Sequence, residues 1–204
     1  MRIVLLLGAS YLIGAFPTSY IVGRAFGVDL RKEGSGNLGS SNVLRVLGIF
    51  PALVVLPLDI LKGFLPVWYF PQWDGAVGHW GFAYGLAAIA GHIWSIYVGF
   101  RGGKGVAAAA GALLALAPLA AVTGLLVWVG MLLITRIASV ASLVAATTVP
   151  FVAYMAEAPG YTVLFATSLA VLVWWTHRDN IRRLAHREEL SLSESPSSNG
   201  SEER

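Results

Sequence analysis

The chain has 204 residues, of which 56% are hydrophobic and 12% charged, and its mean hydropathy is +0.70. A soluble domain of this size could not cover so much apolar area with so few charges, so we predict an all-α integral membrane protein. The absence of cysteine excludes disulfides, thiolate nucleophiles and cysteine metal sites. The formal net charge is +3, and where the charges lie is more informative than their sum.

Apolar segments follow one another along the chain, and a spanning helix needs roughly 20 apolar residues. We predict about seven transmembrane helices, over 1–24, 49–70, 80–100, two short spans within 106–134, 137–155 and 161–175. The run 106–134 is divided at Pro118 because proline ends or kinks a helix. Residues 1–190 are interpreted as one membrane domain, and the Ser/Glu-rich segment 191–204 as a disordered cytoplasmic tail.

Basic residues are distributed unevenly between the two sides that seven spans create. One side carries Arg24, Arg31, Lys32, Arg45, Arg101, Lys104, Arg136, Arg178, Arg182, Arg183, Arg187 and Arg204. The other side carries Arg2 alone, and Lys62 lies within a span. Because Lys and Arg concentrate on the cytoplasmic side, we predict the N-terminus outside and the C-terminus in the cytoplasm. The opening of the chain, a basic residue before an apolar run, also fits a signal peptide.

Three polar islands interrupt the apolar sequence, and the first covers residues 34–42. Its glycines allow positive φ and close backbone approach, and its amide and hydroxyl groups supply neutral donors. The candidate ligand-binding residues are Ser35, Asn37, Ser41 and Asn42. Arg45 adds a cation one turn into a helix that we expect to begin near Val43. The alternative is a polar turn in which one Ser or Asn caps that helix, which accounts for one residue but not for the whole island.

The second island, residues 100–105, resembles a phosphate loop without being a Walker A motif. It is one residue short, and Gly105 replaces the Ser or Thr that would hold magnesium, so we expect no nucleotide hydrolysis. Glycine N–H groups at the start of a helix, with a lysine beside them, still suit a phosphate. The candidate phosphate-binding residues are Arg101, Gly102, Gly103 and Lys104. The alternative is a basic membrane anchor with flexible glycines.

The third island, residues 177–184, continues the last span into the cytoplasm. His177 and Asn180 are three residues apart, so we predict that they share one helical face. The alternative is a basic juxtamembrane helix attracted to anionic headgroups, which explains the arginines but not the His–Asn pair.

Charged and metal-binding side chains within the spans are few. Asp59 and Lys62 lie one turn apart inside a span, where an isolated charge is costly, so we predict that they pair; a structural and a functional role are both open. His92 could face either the packing or a site. No His, Asp and Glu have the spacing of metal ligands, so we predict neither a metal nor another cofactor.

Together, the three islands resemble the signatures of the PlsY family, the bacterial membrane acyl-phosphate:glycerol-3-phosphate acyltransferases. The matching stretches are 34–42, 91–106 and 177–184, with 58–63 as a further family feature. The resemblance extends over residues 1–190. Two departures are visible: Ser40-Ser41 stands where the family more often has Ala-Thr, and His186-Arg187 where it usually has a glycine before a glutamate.

The resemblance implies transfer of an acyl group from acyl phosphate to the 1-hydroxyl of sn-glycerol 3-phosphate, giving lysophosphatidic acid and phosphate. This would be the first acylation of phospholipid biosynthesis, at the cytoplasmic face of the bacterial plasma (inner) membrane. Lys104 and Arg45 would neutralise phosphates, and the Gly102-Gly103 backbone would cradle one. The implied catalytic residues are Ser35, Arg45, Lys104, His177 and Asn180. The proton acceptor stays open between His177, another group and a substrate phosphate.

The sequence also bears on two alternative functions, a different class of acyltransferase and a transporter. The second large class of glycerophosphate acyltransferases needs a His followed five residues later by an Asp, and no histidine here has that neighbour. A small-anion transporter would need binding residues near the bilayer midplane, for which Asp59 and Lys62 are the candidates. We expect the bilayer and the two substrates as partners, no nucleic acid, and a monomer as the working assumption.

Overall fold

The structure is a computed structural model that describes residues 1–75 and 80–192. This part of the chain is helical and contains no strand, which confirms the predicted all-α class. Its helices are α1 (Arg2–Ala15), α2 (Thr18–Ala25), α3 (Ser40–Leu47), α4 (Ile49–Tyr69), α5 (Gly81–Ile93), α6 (Val106–Leu116), α7 (Pro118–Thr135), α8 (Ala138–Met155), α9 (Gly160–Thr176) and α10 (Arg178–Ala185). Short 3₁₀ turns follow α4 at Phe70–Gln72 and α5 at Ile96–Val98. Most of the predicted tail, including Arg204, lies outside the described residues.

Helices that are long and apolar enough to cross a membrane account for most of the predicted spans. Five such segments occur in the described part: Arg2–Ala25, Ile49–Gln72, Gly81–Val98, Pro118–Thr135 and Ala138–Met155. The apolar helices α6 and α9 coincide with the other two predicted spans but are shorter. Large apolar side chains face outward, for example Ile134 at 79% and Leu126 at 66% exposure, as expected for a protein whose solvent is lipid.

Glycines allow two pairs of helices to touch at the backbone. A Cβ atom at Gly63 of α4 would lie 1.9 Å from the carbonyl oxygen of Ala108 in α6. A Cβ atom at Gly111 of α6 would lie equally close to the carbonyl oxygen of Ile60 in α4, so the contact is reciprocal. Gly14 makes the corresponding approach between α1 and α5. Small residues at helix contacts are typical of membrane proteins, where packing rather than hydrophobic burial holds helices together.

A break between α1 and α2 is held by the predicted ion pair, which the structure confirms. Lys62 Nζ lies 2.8 Å from Asp59 Oδ1. The ammonium also donates to the carbonyl of Phe16 (3.2 Å), and the Thr18 hydroxyl donates to Asp59 (2.9 Å). Pro17 keeps the preceding residue out of the helical conformation, so the break is set by sequence and its polar groups are satisfied by α4.

Ends of α3 and of α6–α10 gather at one end of the bundle. The Thr176 hydroxyl, at the end of α9, donates to the carbonyl of Lys104 just before α6 (3.1 Å). The N–H of Leu192 donates to the carbonyl of Arg136 between α7 and α8 (3.0 Å). Arg45 of α3 donates to the carbonyls of residues 190 and 191. These contacts bring the three polar islands to the same end of the molecule.

The close contact between α4 and α6 leads to a stability prediction. Gly63→Ala should lower the free energy of unfolding by about 1–3 kcal/mol, because the added methyl group meets backbone that cannot move aside locally. The measurement is the thermal unfolding midpoint of the purified protein in detergent. Gly8→Ala is the control, since a Cβ at Gly8 of α1 would meet nothing within 4 Å. Equal midpoints for the two variants would contradict the proposed contact.

Candidate active site

The polar islands form one wall of a cavity with a volume of about 190 Å³. The cavity lies among α3–α10 and the loops that join them, and His92 of α5 is among its lining residues. The predicted site residues that line it are Ser35, Asn37, Ser41, Asn42, Arg45, Lys104, His177 and Asn180. Arg101, Gly102 and Gly103 are not among the residues that line it. Segments that are far apart in sequence thus form one polar surface.

Asn42 shapes the first island rather than offering its amide to a ligand. It is 1% exposed, and its side-chain oxygen accepts the N–H of Ser35 (2.8 Å). Its amide donates to the carbonyls of Leu30 (3.2 Å) and Glu33 (3.1 Å), so both of its amide hydrogens are used. A Cβ at Gly34, where φ is +58°, would lie 2.4 Å from the Asn42 oxygen. Asn42 therefore holds the loop that presents Ser35 to the cavity.

The structure also corrects the expected start of α3. The helix begins at Ser40, and its N-cap is Gly39, which makes no side-chain capping bond. The island is therefore not explained by a capping Ser or Asn, and Ser40 and Ser41 are free to line the cavity wall.

The N–H groups of Gly102 and Gly103, which the sequence analysis assigned to a phosphate, are hydrogen-bonded within the protein. The N–H of Gly102 donates to the carbonyl of Ile93 and that of Gly103 to the carbonyl of His92, both at 3.0 Å. These bonds satisfy carbonyl groups that the end of α5 leaves without helical partners. A Cβ at Gly103 would lie 2.1 Å from His92 Nε2, so the glycines are needed for close packing. Arg101 is exposed and is not among the residues that line the cavity.

Lys104 is the cation that the second island contributes to the cavity. Its Nζ donates to the side-chain oxygen of Asn180, which joins the second island to the third. Burial lowers the pKa of the Lys104 ammonium to about 8, and Glu189 opposes that effect. Near neutral pH the ammonium is therefore mostly charged but poorly hydrated. An anion that binds to it has few water molecules to displace, so the desolvation cost is low.

His177 is neutral and presents one nitrogen as an acceptor. It is 4% exposed, and its Nδ1 lies 2.8 Å from the carbonyl oxygen of Val173. Because a carbonyl can only accept, Nδ1 carries the hydrogen and Nε2 keeps its lone pair. Burial first, and then the charge of Lys104, lower the pKa of His177 to about 4. At physiological pH the ring can therefore accept a hydrogen bond from a hydroxyl group.

The predicted continuous helical face through His177 and Asn180 is interrupted. α9 ends at Thr176 and α10 begins at Arg178, with His177 between them. Both side chains nevertheless line the cavity and are almost fully buried. The junction between the two helices, rather than one uninterrupted face, brings them together.

Glu189 is a central residue of the site that the sequence analysis did not single out. Its carboxylate accepts bonds from Ser139 (2.7 Å), from the Asn180 amide and from Arg183 (2.8 Å). Burial raises the pKa of the Glu189 carboxyl, but these hydrogen bonds outweigh burial and hold the pKa below its usual value. The ionised carboxylate thus ties α10 to the start of α8. Arg183, one of the arginines that the headgroup-binding alternative would assign to the membrane, is bound to this carboxylate.

Arg45 lies where the segment after α10 crosses the cavity. Its Nε donates to the carbonyl of Ser191 (3.3 Å) and its Nη2 to the carbonyl of Leu190 (3.2 Å). Carbonyl oxygens are neutral acceptors, whereas a phosphate oxygen would form a stronger, charge-assisted bond to the same guanidinium. Arg45 is therefore placed to exchange a backbone partner for an anion.

Away from the polar wall, the cavity becomes an apolar groove. Its lining there consists of Leu113, Ala121, Gly124, Leu125, Val149, Ala166, Leu169 and Ala170. Trp128 and Ser142 lie between the two regions, and the indole N–H donates to the hydroxyl (3.1 Å). The shape suits a ligand with an anionic head and a hydrocarbon tail. Over residues 1–75 and 80–192, no group of three or more His, Asp and Glu side chains could hold a metal ion.

The family model described as glycerol-3-phosphate acyltransferase matches residues 4–187. The chain belongs to the glycerol-3-phosphate acyltransferase family. A relative from Moorella thermoacetica, glycerol-3-phosphate acyltransferase 2, is 45% identical, with 94% of this chain and 98% of the relative covered. Another, from Halalkalibacterium halodurans and named glycerol-3-phosphate acyltransferase, is 46% identical over 92% of this chain and 94% of its own.

Solved structures agree with this assignment and with an integral membrane protein. The crystal structure of PlsY (YgiH), an integral membrane glycerol 3-phosphate acyltransferase, in its glycerol 3-phosphate form has a TM-score of 0.88 and 35% identity, covering 94% of this chain and 96% of that one. The lysophosphatidic acid form of the same protein has a TM-score of 0.86 and 34% identity, and the match covers 94% of this chain and 95% of that one. The family predicted from the three islands is thereby confirmed.

Two side chains in the acyltransferase cavity were missed from sequence, Glu189 and Ser139. Glu189 lay next to the predicted boundary of the polar tail, and Ser139 was one small polar residue at the start of a span. The available signal was electrostatic: Glu189 follows a basic cluster closely enough to act as its counter-charge.

The lowered pKa of Lys104 leads to a pH prediction for this acyltransferase. The lysine loses its charge as pH rises through about 8, so kcat/KM for glycerol 3-phosphate should fall over that range, since this ratio reports groups of the free enzyme. In Lys104→Arg the guanidinium stays charged, and the alkaline fall should disappear even if absolute activity drops. The measurement is kcat/KM against pH for both proteins. An unchanged alkaline fall in Lys104→Arg would assign it to another group.

Proposed function

We propose that the chain transfers an acyl group from acyl phosphate to the 1-hydroxyl of sn-glycerol 3-phosphate, releasing lysophosphatidic acid and inorganic phosphate. The observation that carries the proposal is the amphipathic cavity, with Arg45 and Lys104 at its polar end and an apolar groove leading away. An acyl phosphate has the same layout, a phosphoryl group attached to a hydrocarbon chain. The glycerol 3-phosphate and lysophosphatidic acid forms of PlsY support the acceptor and the product.

In the proposed reaction, the protein has to position the substrates and stabilise the transition state electrostatically. The 1-hydroxyl oxygen attacks the acyl carbonyl carbon, a new ester C–O bond forms, and the bond from that carbon to the phosphate oxygen breaks. Because the donor is a mixed anhydride, phosphate is a good leaving group and no covalent acyl-enzyme is required. The remaining tasks are to bring two anions together and to stabilise the developing oxyanion.

Lys104 and Arg45 are the residues we assign to the phosphate groups. They reach the cavity from separate elements, so two anionic substrates could be bound side by side without sharing one cation. Asn180 accepts the hydrogen bond of Lys104 and thereby fixes the direction of the ammonium. Ser35, Asn37 and Ser41 also line the polar end of the cavity, and we assign them to the polar groups of glycerol phosphate.

We assign His177 to the orientation of the attacking hydroxyl. Its Nε2 is the acceptor nitrogen, because Nδ1 donates to Val173. A group whose pKa is about 4 is a weak proton acceptor at neutral pH. A substrate phosphate, with a second pKa of about 6, is better matched to take the proton that leaves the hydroxyl. His177 would then align the nucleophile while a phosphate oxygen acts as the base.

A transport function gains no support from the intramembrane charges. Asp59 and Lys62 bind each other and the polar groups at the break between α1 and α2. Although Asp59 lies at the cavity wall, its charge is compensated within the fold. This pair is better explained as structural support.

We further propose that the polar end faces the cytoplasm of a bacterial plasma membrane, with seven membrane-entering segments. α6 has 11 residues, roughly 16 Å, and is shorter than the hydrocarbon core of about 30 Å. Its turn to α7 at Ala117 is buried in protein, where non-helical backbone is tolerated at membrane depth. α6 and α7 thus enter and return on one side, so the charge asymmetry still places the C-terminus inside.

Cysteine labelling tests this orientation, since the chain has no cysteine of its own. Asp179→Cys should resist an impermeant thiol reagent added to intact cells, whereas Glu157→Cys in the loop between α8 and α9 should react. Both side chains are exposed, so accessibility does not separate them. Reaction at position 179 in intact cells, with protection at 157, would reverse the proposed topology.

The catalytic assignment predicts that His177 and Asn180 act as one unit. Each change to alanine should lower kcat by roughly 10²-fold or more, and the double variant should be little worse, as expected for residues that act on one transition state. Arg182→Ala is the control, because this residue lies on the same short helix but is exposed. Additive losses, or an equal loss in Arg182→Ala, would contradict the assignment.

The donor is tested with purified protein and glycerol 3-phosphate, offered either acyl phosphate or acyl-coenzyme A. Phosphate release that requires both acyl phosphate and glycerol 3-phosphate supports the proposal. Turnover with acyl-coenzyme A alone would overturn the donor assignment. Flux of glycerol 3-phosphate into sealed vesicles without chemistry would support transport instead.

A further inference from the structure

The apolar groove has a closed end, formed where α7 faces α8. Gly124 of α7 lies against Val149 of α8: a Cβ at Gly124 would be 2.6 Å from Val149 Cγ2. Leu113 of α6, Ala121 of α7 and Ala166 of α9 also line the groove and are 5%, 8% and 1% exposed. The next buried layer consists of Ala117, Ala120, Ala153 and Phe165, which do not line the cavity. Val149 is the last residue of α8 that lines the groove, and on α7 the lining extends one turn beyond Gly124, to Ala121, so Gly124 and Val149 lie close to the closed end.

α8 runs along the groove from its polar end to this floor. One face of the helix supplies Ser139, Ser142, Ala145, Ala146 and Val149 to the lining. From Ser139, which binds Glu189, to Val149 the helix rises roughly 15 Å. Polarity declines along this path, because the hydroxyls lie near the anion-binding end and the alkyl groups lie near the floor.

The chemical character of the two ends of the groove indicates which ligand it holds. At one end lie the cations Lys104 and Arg45, and at the other the wall is hydrocarbon, without a break between the two regions. A chain attached to a phosphoryl group held at the polar end must run towards Gly124. The acyl chain of the donor is the ligand that fits this continuity.

We propose that Gly124 and Val149 form a stop that determines which acyl-chain lengths the enzyme accepts. The proposal rests on the proposed acyltransferase function and specifies the donor of that same site. Gly124 contributes no side chain, so any side chain introduced there enters the groove or presses on Val149. Truncating Val149 would lengthen the space by removing methyl groups from the floor.

The test uses variants of the full chain, two of which, Gly124→Leu and Gly130→Leu, make the same change in helix α7. Gly124→Leu fills the floor, Val149→Ala enlarges it, and Gly130→Leu is the control. A Cβ at Gly130, also in α7, would meet nothing within 4 Å, so this change shares the gain in helix propensity without entering the groove. For each protein, kcat/KM is measured with lauroyl, palmitoyl and stearoyl phosphate and saturating glycerol 3-phosphate.

Gly124→Leu should lower the ratio of stearoyl to lauroyl phosphate kcat/KM by about tenfold or more, because each methylene that no longer enters the groove costs about fourfold. Lauroyl phosphate should remain a substrate. Val149→Ala should change the same ratio in the opposite direction, and Gly130→Leu should keep the ratio of the unaltered protein. Gly124→Ala should give an intermediate ratio, which covers the case in which leucine prevents folding.

The inference is overturned if the Gly124 variants, or Val149→Ala alone where those do not fold, keep the original ratio. That result would mean that long chains leave the groove sideways past Leu125, which lines it and is 51% exposed to the lipid side. Absence of turnover by the unaltered protein with any acyl phosphate would instead overturn the proposed function. The two failures are therefore distinguishable.

Discussion

The polar end of the cavity depends on one hydrogen-bonded chain, from the ammonium of Lys104 through the amide of Asn180 to the carboxylate of Glu189. A partly buried charge needs a partner, and a direct Lys–Glu pair would satisfy both groups but neutralise the cation. The amide separates the charges: its oxygen accepts from the lysine and its nitrogen donates to the carboxylate. Lys104 is thereby fixed in direction while its charge remains available to a substrate anion. Ser139 and Arg183 hold Glu189 in turn, so this one relay connects α6, α8 and α10.

Contacts farther from the site make this relay possible by satisfying backbone that helix ends leave exposed. In a membrane, unpaired N–H and C=O groups are costly, so each break in a helix must find partners within the protein. At the break between α1 and α2, the Lys62 ammonium donates a hydrogen bond to the carbonyl of Phe16. The N–H groups of Gly102 and Gly103 donate two further hydrogen bonds to carbonyls at the end of α5. This packing sets the position from which Lys104 enters the cavity. Structural and functional roles are therefore divided between neighbouring residues of the same motif.

The cavity also separates the two physical problems of an acyl transfer at a membrane. Hydrocarbon has to leave the bilayer without meeting water, and phosphate has to leave water without losing its counter-charges. An apolar groove that closes near Gly124 and Val149 addresses the first, and the cations at the opposite end address the second. The reacting carbonyl would lie between them, close to the neutral ring of His177. Such a site gains its selectivity from the simultaneous fit of head and tail rather than from any one contact.

Hydropathy and local spacing were sufficient for the helical membrane class and the Asp59–Lys62 pair, because these depend on preference for lipid or water and on residues near in sequence. The resemblance of the three islands to a known family was sufficient for the family and for the candidates Lys104 and His177. The sequence did not reveal that Asn42 would be consumed in holding its own loop, or that Gly102 and Gly103 would bond to α5 instead of facing a ligand. Nor did it identify Glu189, whose partner Ser139 is fifty residues away. Composition and periodicity determine which groups must avoid lipid, whereas only tertiary packing decides which donor meets which acceptor, since a hydrogen bond requires two atoms to come within about 3 Å whatever their separation along the chain.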